Sequence, residues 1–432
     1  KLGYRGFKWV GVTGVAVAFI VTSYYCHVGG WVLRYVVSYI TEAQTVYADP
    51  LGYFYGLLGY NAATGETWFP LTAILFAAVF MAVNAFIIIK GVEGGIEKFN
   101  KVGMPALFVI LIVLLARTIT LDGAQVGFAY MLSCDWSKVG FNTFLSALGQ
   151  AFFSLSLGMA IMITYGSYLP KHENLGKNTA LICTMDTLVA LIAGLAIFPS
   201  VAHFDPALLG SSKGVALMFI ILPQVFESMG GVGQVVSFAF FVMVDIAAIT
   251  SVVSLIEVVT QFVIQKFHAH RKRAALIVAG VCFLVSIPIG ISLGHVAILE
   301  ESSPALFGLD WLTFFDEVTN TVLMPVCALF SCIVVGWFIT PKRAVAEIEA
   351  EGTPMAGWLK KVYAIMIRFV TPALILIVEI GGLQSEIAAG NVAVVVFAYA
   401  LVALCVAAYF LFFRNTDTGT NADEKLSGDY PV

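Results

Sequence analysis

Long apolar runs separated by short polar loops dominate this chain. Runs of about twenty apolar residues, enough for an α-helix to cross a hydrocarbon core roughly 30 Å thick, can be drawn at 9–36, 70–90, 98–120, 141–168, 178–200, 234–264, 274–293, 316–339, 362–382 and 391–413. They predict ten transmembrane helices followed by a polar tail over 414–432. The fourth run differs from the rest: Gln150-Ala151-Phe152-Phe153-Ser154-Leu155-Ser156-Leu157-Gly158-Met159-Ala160 places two serines and a glycine in mid-span. In lipid every backbone group must be satisfied internally, so such an interruption is tolerated only where it faces protein or a wet cavity. Two readings follow. One is a helix broken near 154–160 at a transport site, the other helix packing through small residues.

Composition sharpens the class. Hydrophobic residues make up 60% and charged residues 12%, whereas soluble domains carry about 25% charged residues; mean hydropathy is +0.93. The expected fold is an all-α polytopic membrane protein embedded in a lipid bilayer. The net charge of -4 is spread over loops and points to no nucleic-acid partner. The placement of positive charge is more informative. An even number of spans puts both ends on one side, and of the 23 lysines and arginines all but Arg34, Arg117, Lys138 and Lys213 then fall on that side. The positive-inside rule makes both ends cytoplasmic, in the cell's inner (plasma) membrane.

The cysteines lie mostly within spans, with only Cys134 in an outer loop, and show neither a disulfide framework nor metal spacing. His268 and His270 sit among Lys266, Arg271, Lys272 and Arg273 and read as a solvated basic loop. His27 and His203 read as packed or interfacial histidines, with a proton relay as the alternative. Glu257 lies near the cytoplasmic end of its span, where a basic loop residue is a natural partner. Asp245 has none in sequence. The chain begins at Lys1 without an initiator Met or a signal-peptide pattern.

Five stretches, in order, carry a family resemblance. They are Ser23-Tyr24-Tyr25-Cys26-His27-Val28-Gly29-Gly30-Trp31, Gly91-Val92-Glu93-Gly94-Gly95-Ile96-Glu97-Lys98-Phe99 with Met104-Pro105, the Gly149 to Gly158 stretch, Ile163-Thr164-Tyr165-Gly166-Ser167-Tyr168, and Ala248-Ile249-Thr250-Ser251. Together they resemble the neurotransmitter:sodium symporter family, most closely its bacterial amino-acid transporters. The resemblance implies a leucine-transporter-type fold of two inverted five-helix repeats plus two further helices. On that frame 9–120 holds three helices of the first repeat, 141–340 the second repeat, 362–413 the final pair and 414–432 a cytoplasmic tail. The family's first two helices, with their Gly-Asn-x-Trp-Arg-Phe-Pro-like signature, have no counterpart here. The expectation is a fragment whose partners include those missing helices and which does not transport alone.

By the same resemblance, Ser154 and Asp186 ligate a first sodium ion, and Asp186 supplies the charge that chloride provides where relatives carry Asn, so transport is expected to be chloride-independent. A structural Asp, protonated or hydrogen-bonded, is the alternative; a carboxylate at the bilayer centre costs about 2.5–3.5 kcal/mol on insertion scales. Ala247, Thr250 and Ser251 fall at i, i+3 and i+4 on one helix face, which suits a second sodium, although such hydroxyls also bond back to helix carbonyls. A neutral, hydrophobic amino acid is the implied substrate, in a pocket lined by Val21, Tyr25, Phe153, Ser154, Ser156, Met159, Ser251 and Leu255, with Tyr25 donating to its carboxylate. Met159 replaces an aromatic residue and Ala160 a glycine found in some relatives. Phe153 and Asp316 correspond to an outer lid and the acidic half of an outer ion pair. Gln265 replaces an inner acidic gate residue. Gly95 and Pro105 suit a hinge or a plain helix start.

Gly290-Ile291-Ser292-Leu293-Gly294 spells a serine-hydrolase pattern and His295 follows it. An intramembrane hydrolase using Ser292 is the competing class, but the pattern requires a strand, a sharp turn and a positioned base. A transport-inactive homologue is a further alternative. A channel would need a polar stripe down several helices, which the sequence lacks.

Overall fold

In the computed structural model, residues 7–413 are described apart from 62, 138, 171–172, 211–213, 297–308, 351 and 353. Among these residues nine helices are long and apolar enough to cross a membrane. The helices are α1 (Lys8–Thr41), α2 (Leu71–Ile89), α3 (Lys98–Ile119), α4 (Phe141–Ser154), α5 (Ile161–Gly166), α6 (Leu175–Phe204), α7 (Gly233–Phe267), α8 (Arg271–Val296), α9 (Trp311–Ile339), α10 (Gly357–Ala388) and α11 (Val392–Leu411). The tenth expected span, 141–168, is the pair α4 and α5, separated by six irregular residues. Neither half crosses a bilayer alone, since 14 helical residues rise only about 21 Å.

The core forms around α1 and α7. Val17, Val21 and Tyr24 of α1 pack with Val252, Val253 and Ile256 of α7, Phe80 and Ile88 of α2, Cys282 of α8 and Val318 of α9. These helices are apolar nearly all round, as elements buried in a bundle must be. A second core lies toward the end opposite the lysine-rich loops, here termed the outer end. There Tyr35 stacks on Phe241 with centroids 4.9 Å apart, and Phe54 stacks on Phe219 at 5.0 Å. The Tyr35 hydroxyl donates to the Phe219 carbonyl at 3.0 Å. This aromatic box fastens two short helices, Pro50–Leu57 and Leu222–Ser228, over the bundle.

Helix ends depart from the apolar runs where packing overrides hydropathy. Helix α1 continues beyond 36 because Ser38 and Tyr39 are buried in the second core. The segment before α3 is a wide turn over Val92–Glu97, with Pro105 lying within α3 itself. A Cβ on Gly95 would sit 1.9 Å from the Ile87 carbonyl oxygen, so this glycine permits close approach of two backbones.

Candidate functional site

The break between α4 and α5 is a backbone event. Ser156, Gly158 and Ala160 have φ of 55°, 83° and 57°, values that a right-handed helix cannot hold. Ser156 and Leu157 donate back to the Phe153 and Phe152 carbonyls, closing the end of α4. Among the described residues, the N–H groups of Gly158, Met159 and Ala160 then donate to no backbone carbonyl. Of the two readings of this stretch, the broken helix is the one observed. Gly158 is fixed sterically as well, because a Cβ there would lie 2.4 Å from the Met324 carbonyl oxygen.

Oxygen atoms gather at the end of α4. Ser154 Oγ lies 2.6 Å from both carboxylate oxygens of Asp186 on α6. Ser154 is exposed and Asp186 partly exposed, so the pair lies open to solvent and not in a packed interface. On α7 the expected trio is present: Thr250 and Ser251 donate their hydroxyls to the Ala247 carbonyl at 2.8 and 3.1 Å. That is the back-bonded arrangement open to any helix; three oxygens nonetheless share one small volume. The Tyr25 hydroxyl is within hydrogen-bonding reach of Ser251.

The apolar lining divides. Val21, Met159 and Leu255 are buried together in the central core, and Tyr25 packs against it. Phe153 lies with Asp316 on the wall of an outer pocket that also includes Gln150 and Asn320. Ser156 departs from expectation: it lines a separate hollow of about 200 Å³ with Val10, Phe152, Cys332 and Ile375, on the α9 and α10 side of the break. The positive φ at Ser156 turns its side chain off the face that a continuous helix would have given it. Asp316 accepts from the Tyr24 hydroxyl at 2.8 Å and from Asn320 at 2.7 Å. Its neutral donors come from α1 and from its own helix.

At the inner end, sequence reasoning found Glu257 but not its setting. Glu257 is fully buried and accepts from Arg271 at 2.7 Å, Tyr168 at 2.7 Å and Gln261 at 3.1 Å. Arg271 also donates to the Ile88 carbonyl at 2.9 Å, tying in α2. One helical turn outward, Tyr165 donates to Ser254 at 2.8 Å. The available signal was Tyr165 and Tyr168 at i, i+3, which puts both on the face that meets α7. Gln265 lines an inner pocket with Lys8, Gln261 and Lys266.

The remaining candidates separate readily. Asp245 is half-buried, with one carboxylate oxygen lacking a partner. The His27 ring is buried against Gly290 and neither nitrogen is bonded, whereas His203 meets the Asp122 carbonyl at 2.7 Å. Ser292 is buried within α8, donates to the Ile289 carbonyl at 2.9 Å and accepts from the Trp311 N–H. An exposed nucleophile on a strand-to-helix turn is the opposite arrangement, so the hydrolase reading fails. The His295 side chain lies outside the described residues.

A family model for the Sodium:neurotransmitter symporter family matches residues 58–413. An uncharacterized sodium-dependent transporter, YhdH of Bacillus subtilis (strain 168), is 33% identical over 368 residues, 85% of this chain and 78% of that protein. An uncharacterized sodium-dependent transporter of Haemophilus influenzae is 32% identical over 380 residues, covering 87% and 79%. Among solved structures, MhsT in complex with L-phenylalanine is 34% identical with a TM-score of 0.74, covering 87% of this chain and 81% of that one.

Proposed function

Because this chain belongs to the Sodium:neurotransmitter symporter family and is a sodium-dependent transporter, not an enzyme, we propose that it carries a neutral, hydrophobic amino acid together with sodium by alternating access. The observation that carries this reading is the pair Ser154 and Asp186 at the broken end of α4. Sodium is a hard cation that takes oxygen ligands, and broken helices at mid-membrane depth supply them from side chains and freed backbone. Asp186 adds the negative charge, so the ion needs no chloride. Ala247, Thr250 and Ser251 hold a second sodium once their hydroxyl hydrogens rotate off the Ala247 carbonyl.

The substrate follows from the walls. Val21, Met159 and Leu255 give an apolar surface, and Tyr25 together with Ser251 gives a hydroxyl pair for a carboxylate. Few polar groups in an apolar pocket favour an aliphatic or aromatic side chain. The bound L-phenylalanine of the MhsT structure agrees with that class. Phe153 and Asp316 close the outer side, and Tyr165, Tyr168, Glu257 and Arg271 close the inner side.

The test is sodium-dependent binding of labelled neutral amino acids to the purified full-length protein. Binding that requires sodium, persists when gluconate replaces chloride and falls on Ser154→Ala supports the proposal. Binding indifferent to sodium overturns it.

A further inference from the structure

A small cavity of about 20 Å³ lies under the outer short helix, walled by Leu111 and Leu114 of α3, Ile197 of α6, Leu222 and Phe226 of the lid helix, and Phe240 of α7. Its polar atoms come from Arg117, Thr118 and Ser200. Arg117 Nε is shielded from solvent and has no acceptor, while Nη1 donates to Thr120 at 2.7 Å. Among the described residues no carboxylate pairs with this guanidinium. The guanidinium is partly exposed through Nη1, but its Nε–H is buried without an acceptor, and an unmet buried donor is costly.

The two hydroxyls can supply a donor. Thr118 Oγ1 lies within hydrogen-bonding distance of the Leu114 carbonyl, the Ala196 carbonyl and Ser200 Oγ, at 3.0, 3.1 and 2.9 Å, and Ser200 already donates to the Ala196 carbonyl at 2.7 Å. Thr118 has one hydrogen for three acceptors, so turning it into the cavity strands none of them without another option. The volume is on the scale of a single water. That excludes phosphate, sulfate and the carboxylate of an amino acid, and leaves a water or a monatomic ion.

We propose that this cavity binds a halide, chloride in the cell, held by Arg117 Nε–H and a hydroxyl from Thr118 or Ser200, and that the ion ties α3 to α6 beneath the Leu222–Ser228 helix. A bridging water would satisfy the N–H alone, whereas an anion also gains Coulomb attraction to the guanidinium. The site is separate from the proposed cation site: Asp186 precedes Ala196 by ten residues of α6, roughly 15 Å along the axis. Chloride acting here would stabilise the outer end of the bundle without being a ligand of the sodium ion.

The experiment is thermal unfolding of the purified chain in sodium gluconate while chloride or bromide is titrated. The expected result is a saturable upward shift of the midpoint in the wild type, lost in Arg117→Gln and kept in Asp186→Asn. No shift in the wild type, or a shift that survives Arg117→Gln, overturns the proposal. If Arg117→Gln does not fold, the double substitution Thr118→Val and Ser200→Ala replaces it and is expected to weaken the shift. Bromide-soaked crystals of the wild type give an independent answer: an anomalous peak among Arg117, Thr118 and Ser200 supports the site, and its absence there refutes it.

Discussion

Replacing Asp186 by Asn removes one formal charge while leaving an acceptor for the Ser154 hydroxyl, which now lies 2.6 Å from both carboxylate oxygens. If Asp186 ligates sodium, the loss is electrostatic. Two unit charges about 4 Å apart interact by about 4 kcal/mol at an effective dielectric of about 20. Both residues are solvent-accessible, so screening trims this to about 1.5–3 kcal/mol, or about 10- to 150-fold in sodium affinity. The assay is the sodium concentration for half-maximal uptake of a labelled neutral amino acid into proteoliposomes, in gluconate and in chloride. Asp186→Asn should raise it by that factor in gluconate, and chloride should recover part of the loss for the variant only. A half-maximal concentration unchanged within about twofold, or wild-type uptake that stops without chloride, would refute the assignment of charge to this residue.

Substituting both Thr250 and Ser251 by Ala should lower the apparent number of coupled sodium ions without unfolding the protein, because their present bonds return to their own helix and are worth little there; sodium cooperativity measured in uptake decides. Arg271→Ala strands the buried Glu257 carboxylate and should cost about 3–5 kcal/mol of stability, with Glu257→Gln added to it restoring much of the midpoint in a thermal melt. A double variant no more stable than Arg271→Ala would show the ion pair to be incidental. Gly158→Ala forces a Cβ to within 2.4 Å of the Met324 oxygen at a φ of 83°, so substrate binding should vanish in an equilibrium binding assay; retention within about threefold would mean the break is looser than its geometry indicates.

Nine of the ten expected spans are single long apolar helices among the described residues, and they were legible because bilayer thickness imposes one length on every crossing. The break was legible for a related reason: Ser154, Ser156 and Gly158 in mid-span contradict a continuous lipid-facing helix. What the sequence hid is longer in range or finer in angle. The Tyr24 to Asp316 bond spans 292 positions, and nothing local to either residue announces it. Glu257 was expected to meet a basic loop residue, but only the turn between α7 and α8 selects Arg271 from among Lys266, Lys272 and Arg273. Ser156 was placed with the pocket by the family resemblance, and the positive φ there sets it on the wall of a hollow on the α9 and α10 side. The lid over 214–228 escaped notice because its apolar run is too short for a span and its packing partners are aromatic residues on four other elements.

The two halves of the broken span are held by different forces, and under the proposed function this difference is the means of coupling. Helix α5 has only six residues, too few to be stable as a helix by itself. Its position depends on Tyr165 to Ser254 and on Tyr168 to the buried Glu257. One neutral and one charge-assisted hydrogen bond contribute together about 2–4 kcal/mol. Moving a two-state equilibrium from 1:99 to 99:1 requires about 5.5 kcal/mol of differential affinity. A latch of the smaller size can therefore be overcome by occupants that bind the open and closed arrangements unequally, whereas no single hydrogen bond to substrate would suffice. In the proposed mechanism, ions at Ser154 of α4 and Thr250 of α7, with a substrate across the break, supply that difference jointly.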